Sequence, residues 1–121
     1  MKILFVCSRN RRRSLTAEHH FRATPGLDVR SAGTSDAARV RVTAPMLAWA
    51  DLIAVMEKRH RAQLDARFGD LVDPSRVAVL YITDDYEYGD PALIARLEAT
   101  LAPILARGEP EAPPLDPSEG V

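Results

Sequence analysis

The sequence predicts an α/β domain built on a four-stranded parallel sheet with helices on both faces. Three observations carry this expectation. Four short apolar runs lie between residues 2 and 82, and each is followed by a longer amphipathic or charged segment. Those runs are continuous rather than alternating in polarity, as in strands buried on both faces. At 121 residues, 46% hydrophobic and 27% charged, the chain is the size of one domain with its own core. A strand–helix order repeated four times then leaves a parallel sheet with helical crossovers as the simplest arrangement.

Each element has its own justification. Residues 2–7 are apolar and rich in strand formers, and predict the first strand. The polar stretch Ser8–Arg12 follows, and then residues 13–23 place Leu15, Ala17 and Phe21 on one helical face, with Pro25-Gly26 as the stop. Residues 27–32 predict a second strand with Val29 and Ala32 inward. Thr43 as a cap and Pro45 in the first turn open a short helix over 43–50. Residues 52–56 predict a buried third strand, and residues 57–68 a charged helix with Leu64 and Phe68 as its buried edge, stopped by Gly69. Residues 77–82 complete the sheet. Asp90-Pro91 opens a last helix running to about Leu105. The domain is therefore expected to span residues 1–106. Residues 107–121, with four prolines and several acids, are expected to be a disordered tail.

Charge and cysteine content narrow the function classes. The net charge is −1, but residues 1–67 carry 13 Lys and Arg against 6 Asp and Glu, while residues 68–121 carry 3 against 11. A basic half can serve nucleic acid, yet the interleaved aromatics of a single-strand binder are missing. The basic half therefore suits a small anion. The apolar run 3–6 is too short for a signal or membrane segment and is soon followed by four arginines, so a cytoplasmic protein is expected, with no membrane partner. Cys7 is the only cysteine, which agrees with a reducing compartment and excludes both an internal disulfide and a multi-cysteine metal site. His19 and His20 are adjacent on a helix and diverge, and His60 lies in a charged helix where exposure is expected, so no metal is implied.

In a sheet of this kind ligands bind beyond the carboxyl ends of the strands. There Cys7 ends the first strand, five residues follow, and Arg13 and Ser14 open a helix. Such a loop turns its backbone N–H groups around a concavity while the helix N-terminus adds positive potential. The same place binds phosphate and favours a thiolate at Cys7. Arg13 offers a planar fork that matches two phosphate oxygens. Ser14 can donate to the thiolate, and Asn10 tolerates the left-handed backbone of a tight anion loop. Ser8, Arg9, Asn10, Arg11, Arg12, Arg13 and Ser14 are thus the expected phosphate-binding residues, with Arg11 and Arg12 also readable as a solvated face.

The run Val6-Cys7-Ser8-Arg9-Asn10-Arg11-Arg12-Arg13-Ser14, continued by Thr16-Ala17-Glu18 and Phe21, resembles the phosphate loop and first helix of the low-molecular-weight protein tyrosine phosphatases. Ser31-Ala32-Gly33-Thr34-Ser35 and Asp51 to Glu57 resemble that family's second and third strand segments, so the likeness reaches from residue 1 to about 105. It implies a flavodoxin-like topology, a phosphocysteine intermediate on Cys7, and no metal or organic cofactor. It also implies an aspartic acid that protonates the leaving group, from a loop after the fourth strand. Asp84 takes that place by offset, while Asp85 stands where the family has proline, so Asp84 or Asp85 is the expected acid. Tyr86 and Tyr88 are expected to form a wall against an aromatic substrate, or else to cover the sheet end. Ser31 is expected to join Ser14 and Asn10 in supporting the loop. Two departures stand out. Arg9 replaces a usual glycine, which requires a negative φ there, and the supporting histidine of the family has no counterpart in the shortened segment between the second and third strands.

A phosphate monoester hydrolase acting on phosphotyrosine or smaller esters is therefore expected. A non-catalytic phosphate- or phosphoprotein-binding module on the same fold is the alternative. Arsenate reduction coupled to thioredoxin needs further cysteines, which the chain lacks. Nothing in the sequence sets the oligomeric state.

Overall fold

The computed structural model describes residues 1–107. The tail expected over 107–121 thus lies, beyond its first residue, outside the described residues. In chain order the elements are β1 (Lys2–Cys7), α1 (Arg13–Phe21), β2 (Asp28–Gly33), α2 (Ala44–Trp49), β3 (Leu52–Val55), α3 (Lys58–Phe68), β4 (Val77–Val79) and α4 (Pro91–Ala106). Two short 3₁₀ turns at Gly69–Leu71 and Pro74–Arg76 lead from α3 into β4.

The four strands form one parallel sheet in the order β2-β1-β3-β4. β1 is an interior strand, and its apolar run Ile3, Leu4, Phe5 and Val6 is fully buried there. Its alternating side chains feed two separate cores. Ile3, Phe5 and Cys7 pack with Ala17 and Phe21 of α1 and with Leu93, Leu97 and Leu101 of α4. Leu4 and Val6 pack with Leu47 of α2 and Leu64 of α3 on the opposite face. Phe5 and Phe21 stack with ring centroids 5.7 Å apart. Helix α4 begins where Asp90 accepts a hydrogen bond from the Ala92 N–H at 2.9 Å.

Two details differ from the sequence expectation. Thr43 precedes α2 as foreseen, but its hydroxyl caps nothing. β4 ends at Val79 rather than at Ile82, because Tyr81 adopts a left-handed backbone with φ of 57°. Hydrogen bonding to the neighbouring segment resumes on either side, Leu80 N–H to the Val55 carbonyl and Ile82 N–H to that of Met56, both at 2.8 Å. Among the described residues no helix is long and apolar enough to cross a membrane.

The strand order reverses direction at β1: β2 lies on one side of it, β3 on the other. The loop leaving β1 therefore opens into the crevice at the switch point. The segment after β2 braces this loop from one side. The N–H groups of Thr34 and Ser35 donate to the carbonyls of Cys7 and Ser8, and that of Arg39 to Arg9, each at 2.9 Å. Gly33 makes this approach possible, since a Cβ there would stand 2.4 Å from the Ser8 carbonyl oxygen and 2.7 Å from the Ala38 Cβ.

Gly33→Ala is expected to lower stability by about 1–3 kcal/mol, the usual cost of forcing an extra carbon into a packed site, and to weaken phosphate binding in parallel. Denaturant unfolding of both proteins checks this, and an unchanged midpoint would show that the brace yields freely.

Candidate active site

The polypeptide between β1 and α1 wraps around the sulfur of Cys7. Cys7 is 3% exposed, closes the buried end of β1, and points from the sheet into the loop. Its Sγ lies 2.8 Å from the Ser14 hydroxyl and accepts from the Asn10 N–H at 3.3 Å. Ser14 Oγ in turn accepts from the Asn10 side-chain amide at 2.8 Å, and its hydroxyl hydrogen can go to the sulfur or to the Ala32 carbonyl at 3.4 Å.

Asn10 takes the left-handed conformation with φ of 57°, as expected for the tight corner of an anion loop. Arg9 is not among the positive-φ residues, so it stands in place of glycine without backbone strain. The backbone N–H groups of Ser8, Arg9, Arg11, Arg12 and Arg13 donate to no other group among the described residues. They form the concave row of donors that an oxyanion requires.

Above the sulfur is a cavity of about 460 Å³ lined by Cys7, Ser8, Asp84 and the arginines 9, 11, 12, 13 and 59. Arg13 is the anchor. Its guanidinium is 2% exposed and uses Nη1 to donate to Glu57 at 2.6 Å and to the Ile82 carbonyl at 2.8 Å. The rest of its fork is left for the cavity, where its Nε lies 3.7 Å from Asp84 Oδ1. Asn10 and Ser14, both fully buried, stand behind the cavity rather than in its wall, so they shape the loop and hold the sulfur instead of lining the phosphate site.

Of the two candidate acids, Asp84 reaches the cavity. It is half exposed, pairs with Arg12 at 3.3 Å, and rides on a loop pinned to α1 by the Gly89 N–H donating to Thr16 Oγ1 at 3.0 Å. Asp85 turns aside to accept from Thr83 Oγ1 at 2.7 Å and does not line the cavity. Tyr86 and Tyr88, expected to form an aromatic wall or else to cover the sheet end, do not line the cavity. Tyr86 packs against the α1/α4 core, and the Tyr88 hydroxyl lies 2.5 Å from His19 Nδ1, on the outer side of α1. Ser31 likewise leaves the loop network: its hydroxyl donates to Glu18 at 2.5 Å. Asn10 Oδ1 is accordingly a buried acceptor with no partner among the described residues.

Three residues of the site escaped the sequence reading: Arg59, which lines the cavity, and Glu57 and His60 behind it. Glu57 caps α3, and although partial burial raises its carboxyl, the Arg13 and Arg59 guanidiniums outweigh that and hold it below the ordinary glutamate value. His60 was expected to be exposed, yet it is fully buried. Its Nδ1 accepts from the Glu57 N–H at 3.0 Å, so Nε2 carries the hydrogen and donates to the Ser8 hydroxyl at 2.9 Å. Burial, followed by the nearby charges of Arg13 and Arg59, pushes its pKa down to about 4, so the ring is neutral around pH 7. The sequence signal was the spacing: Glu57 and His60 are the two ends of a reciprocal capping box. Among the described residues no cluster could hold a metal ion.

No protein-family model and no curated protein matches the sequence. Solved structures do match in shape. The tyrosine phosphatase AmsI of Erwinia amylovora superposes with a TM-score of 0.68 at 24% identity, covering 87% of this chain and 91% of that one. A low-molecular-weight phosphotyrosine phosphatase of Vibrio cholerae gives 0.65 at 19% identity, covering 90% and 99%. The YwlE arginine phosphatase of Geobacillus stearothermophilus gives 0.60 at 20% identity, covering 89% and 97%. The chain has the flavodoxin-like fold of the low-molecular-weight phosphatases, over nearly their whole length.

Proposed function

We propose that the protein is a phosphate monoester hydrolase that works through a phosphocysteine intermediate. The observation that carries this reading is the sulfur of Cys7, held by Ser14 and the Asn10 N–H at the floor of a cavity walled by arginines and unpaired loop N–H groups. A sulfur at the floor of such a cavity can attack a phosphorus whose oxygens the wall holds. Arg13 and the loop donors bind the three non-bridging oxygens and stabilise the charge they carry in the transition state.

In the first step the Cys7 thiolate attacks phosphorus, an S–P bond forms, and the ester P–O bond breaks. Asp84, in its protonated form, gives its proton to the departing oxygen. In the second step a water attacks the phosphocysteine and loses its proton to the Asp84 carboxylate. The S–P bond breaks, inorganic phosphate leaves, and the thiolate and the acid are restored. Arg12, paired with Asp84, positions the acid over the cavity. The family names carried by the fold relatives include tyrosine and arginine phosphatases, and a phosphorylated substrate is what this chain shares with them under the present reading. A lone thiol nucleophile suits a reducing compartment, so the cytoplasm is the location this reading favours.

Hydrolysis of para-nitrophenyl phosphate between pH 5 and 7 tests the assignment. Cys7→Ser is expected to be inactive. Asp84→Asn should lose roughly a hundred- to ten-thousand-fold in kcat, the usual worth of a general acid, while Asp85→Asn stays near wild type. A fully active Asp84→Asn protein paired with an impaired Asp85→Asn protein would reverse the assignment of the acid, and an inert wild type that still binds phosphate would support the binding-module alternative.

His60 sets a pH limit on the loop. Folded His60 stays neutral down to about pH 4, whereas in the unfolded chain it titrates near 6.5. Between those values the unfolded chain holds the extra proton, so stability falls as pH falls, by at most about 1.4 kcal/mol per pH unit from this group. Urea unfolding at pH 6.5 and pH 5 should show this loss in the wild type and a flatter response in His60→Gln. Equal slopes would mean that His60 is not held neutral.

A further inference from the structure

The charge in the cavity exceeds what one phosphate ester requires. Its wall carries five guanidiniums against the single carboxylate of Asp84, with Glu57 behind it shared by Arg13 and Arg59. Arg13 and the loop N–H groups suffice for that phosphate, and Arg12 is engaged by Asp84. Arg9 and Arg11 have no acidic partner among the described residues, and Arg59 pairs at 2.7 Å with Glu57, a carboxylate it shares with Arg13. Confining like charges around one small cavity is unfavourable unless an anion joins them.

The wall also lacks an aromatic or aliphatic side chain against which a phenyl ring could pack. Apart from Cys7, every lining residue is polar or charged, Tyr86 packs into the core and Tyr88 is held by His19. On this basis we infer that the site takes small phosphate esters whose leaving group carries a second phosphate, gripped by Arg9, Arg11 and Arg59. The inference rests on the hydrolase reading above and adds the substrate class. Guanidinium forks match phosphate oxygens in pairs. A cavity of about 460 Å³ suits a small molecule. The spare arginines converge on that one cavity, rather than forming the strip along the surface that an extended acidic peptide would need.

Calorimetric titration of the Cys7→Ser protein with phenyl phosphate and with 1,3-phenylene bisphosphate tests the inference directly. The bisphosphate is expected to bind at least tenfold more tightly at low salt. In a protein that also carries Arg9→Gln, Arg11→Gln and Arg59→Gln the preference should fall to about twofold or less. Wild-type kcat/KM for the bisphosphate should exceed that for phenyl phosphate by a similar factor. Equal affinities for the two probes would overturn the inference, and turnover of phenyl phosphate in the same protein would then leave the hydrolase reading intact. A bisphosphate preference with neither ester turned over would uphold the second anion site and overturn the hydrolase reading. Tighter binding of a phosphotyrosine peptide rich in Asp and Glu would overturn the inference in favour of a protein substrate.

Discussion

A guanidinium cannot shed its proton, so burying Arg13 to 2% exposure obliges its surroundings to accept a full charge. Glu57 and the Ile82 carbonyl answer that demand directly. Glu57 is also the cap of α3, its N–H donates to His60, and His60 donates to Ser8 at the near end of the loop that Arg13 closes. The two ends of the phosphate loop are thus tied to the same capping turn. Removing the Glu57 side chain would leave the buried cation only the Ile82 carbonyl and the more distant Asp84 carboxylate, which is far more destabilising than losing an exposed pair.

The unusual backbone of Tyr81 belongs to the same arrangement. A left-handed bulky residue is strained. It sits one residue before Ile82, whose carbonyl accepts from Arg13 and whose N–H returns to Met56. The break in β4 therefore lies where the sheet passes from strand pairing to supporting the guanidinium. The side chains of Arg9, Arg11, Arg12 and Arg59, by contrast, hydrogen-bond to no strand among the described residues, so the part of the wall they form can vary without disturbing the core.

Much of the fold was legible because its signals are local. The continuous apolar run of β1, the Asp90-Pro91 start of α4 and the Cys7-to-Arg13 spacing each act within a few residues. The site was legible as far as the loop extends: Cys7, Asn10, Arg13 and Ser14 stand in the relationships their chemistry suggested. What failed was long-range or orientational. Glu57 lies 44 residues from Arg13, and His60 lies 52 from Ser8, and parallel pairing brings them together in a way that helical charge patterning does not reveal. Tyr86, Tyr88 and Ser31 are near the expected places, yet each turns to a partner that a linear pattern cannot rank: a core, a histidine and a glutamate.

The chain's only thiol stands at the end of β1, against the Ser14 hydroxyl and the Asn10 N–H, and peroxide reaching such a sulfur gives a sulfenic acid. A sulfenic acid formed there has no neighbouring sulfur with which to condense. Shielding it from further, irreversible oxidation would then fall to a backbone nitrogen or to a thiol from outside the chain, and the latter could reach the sulfur only through a cavity rimmed by arginines.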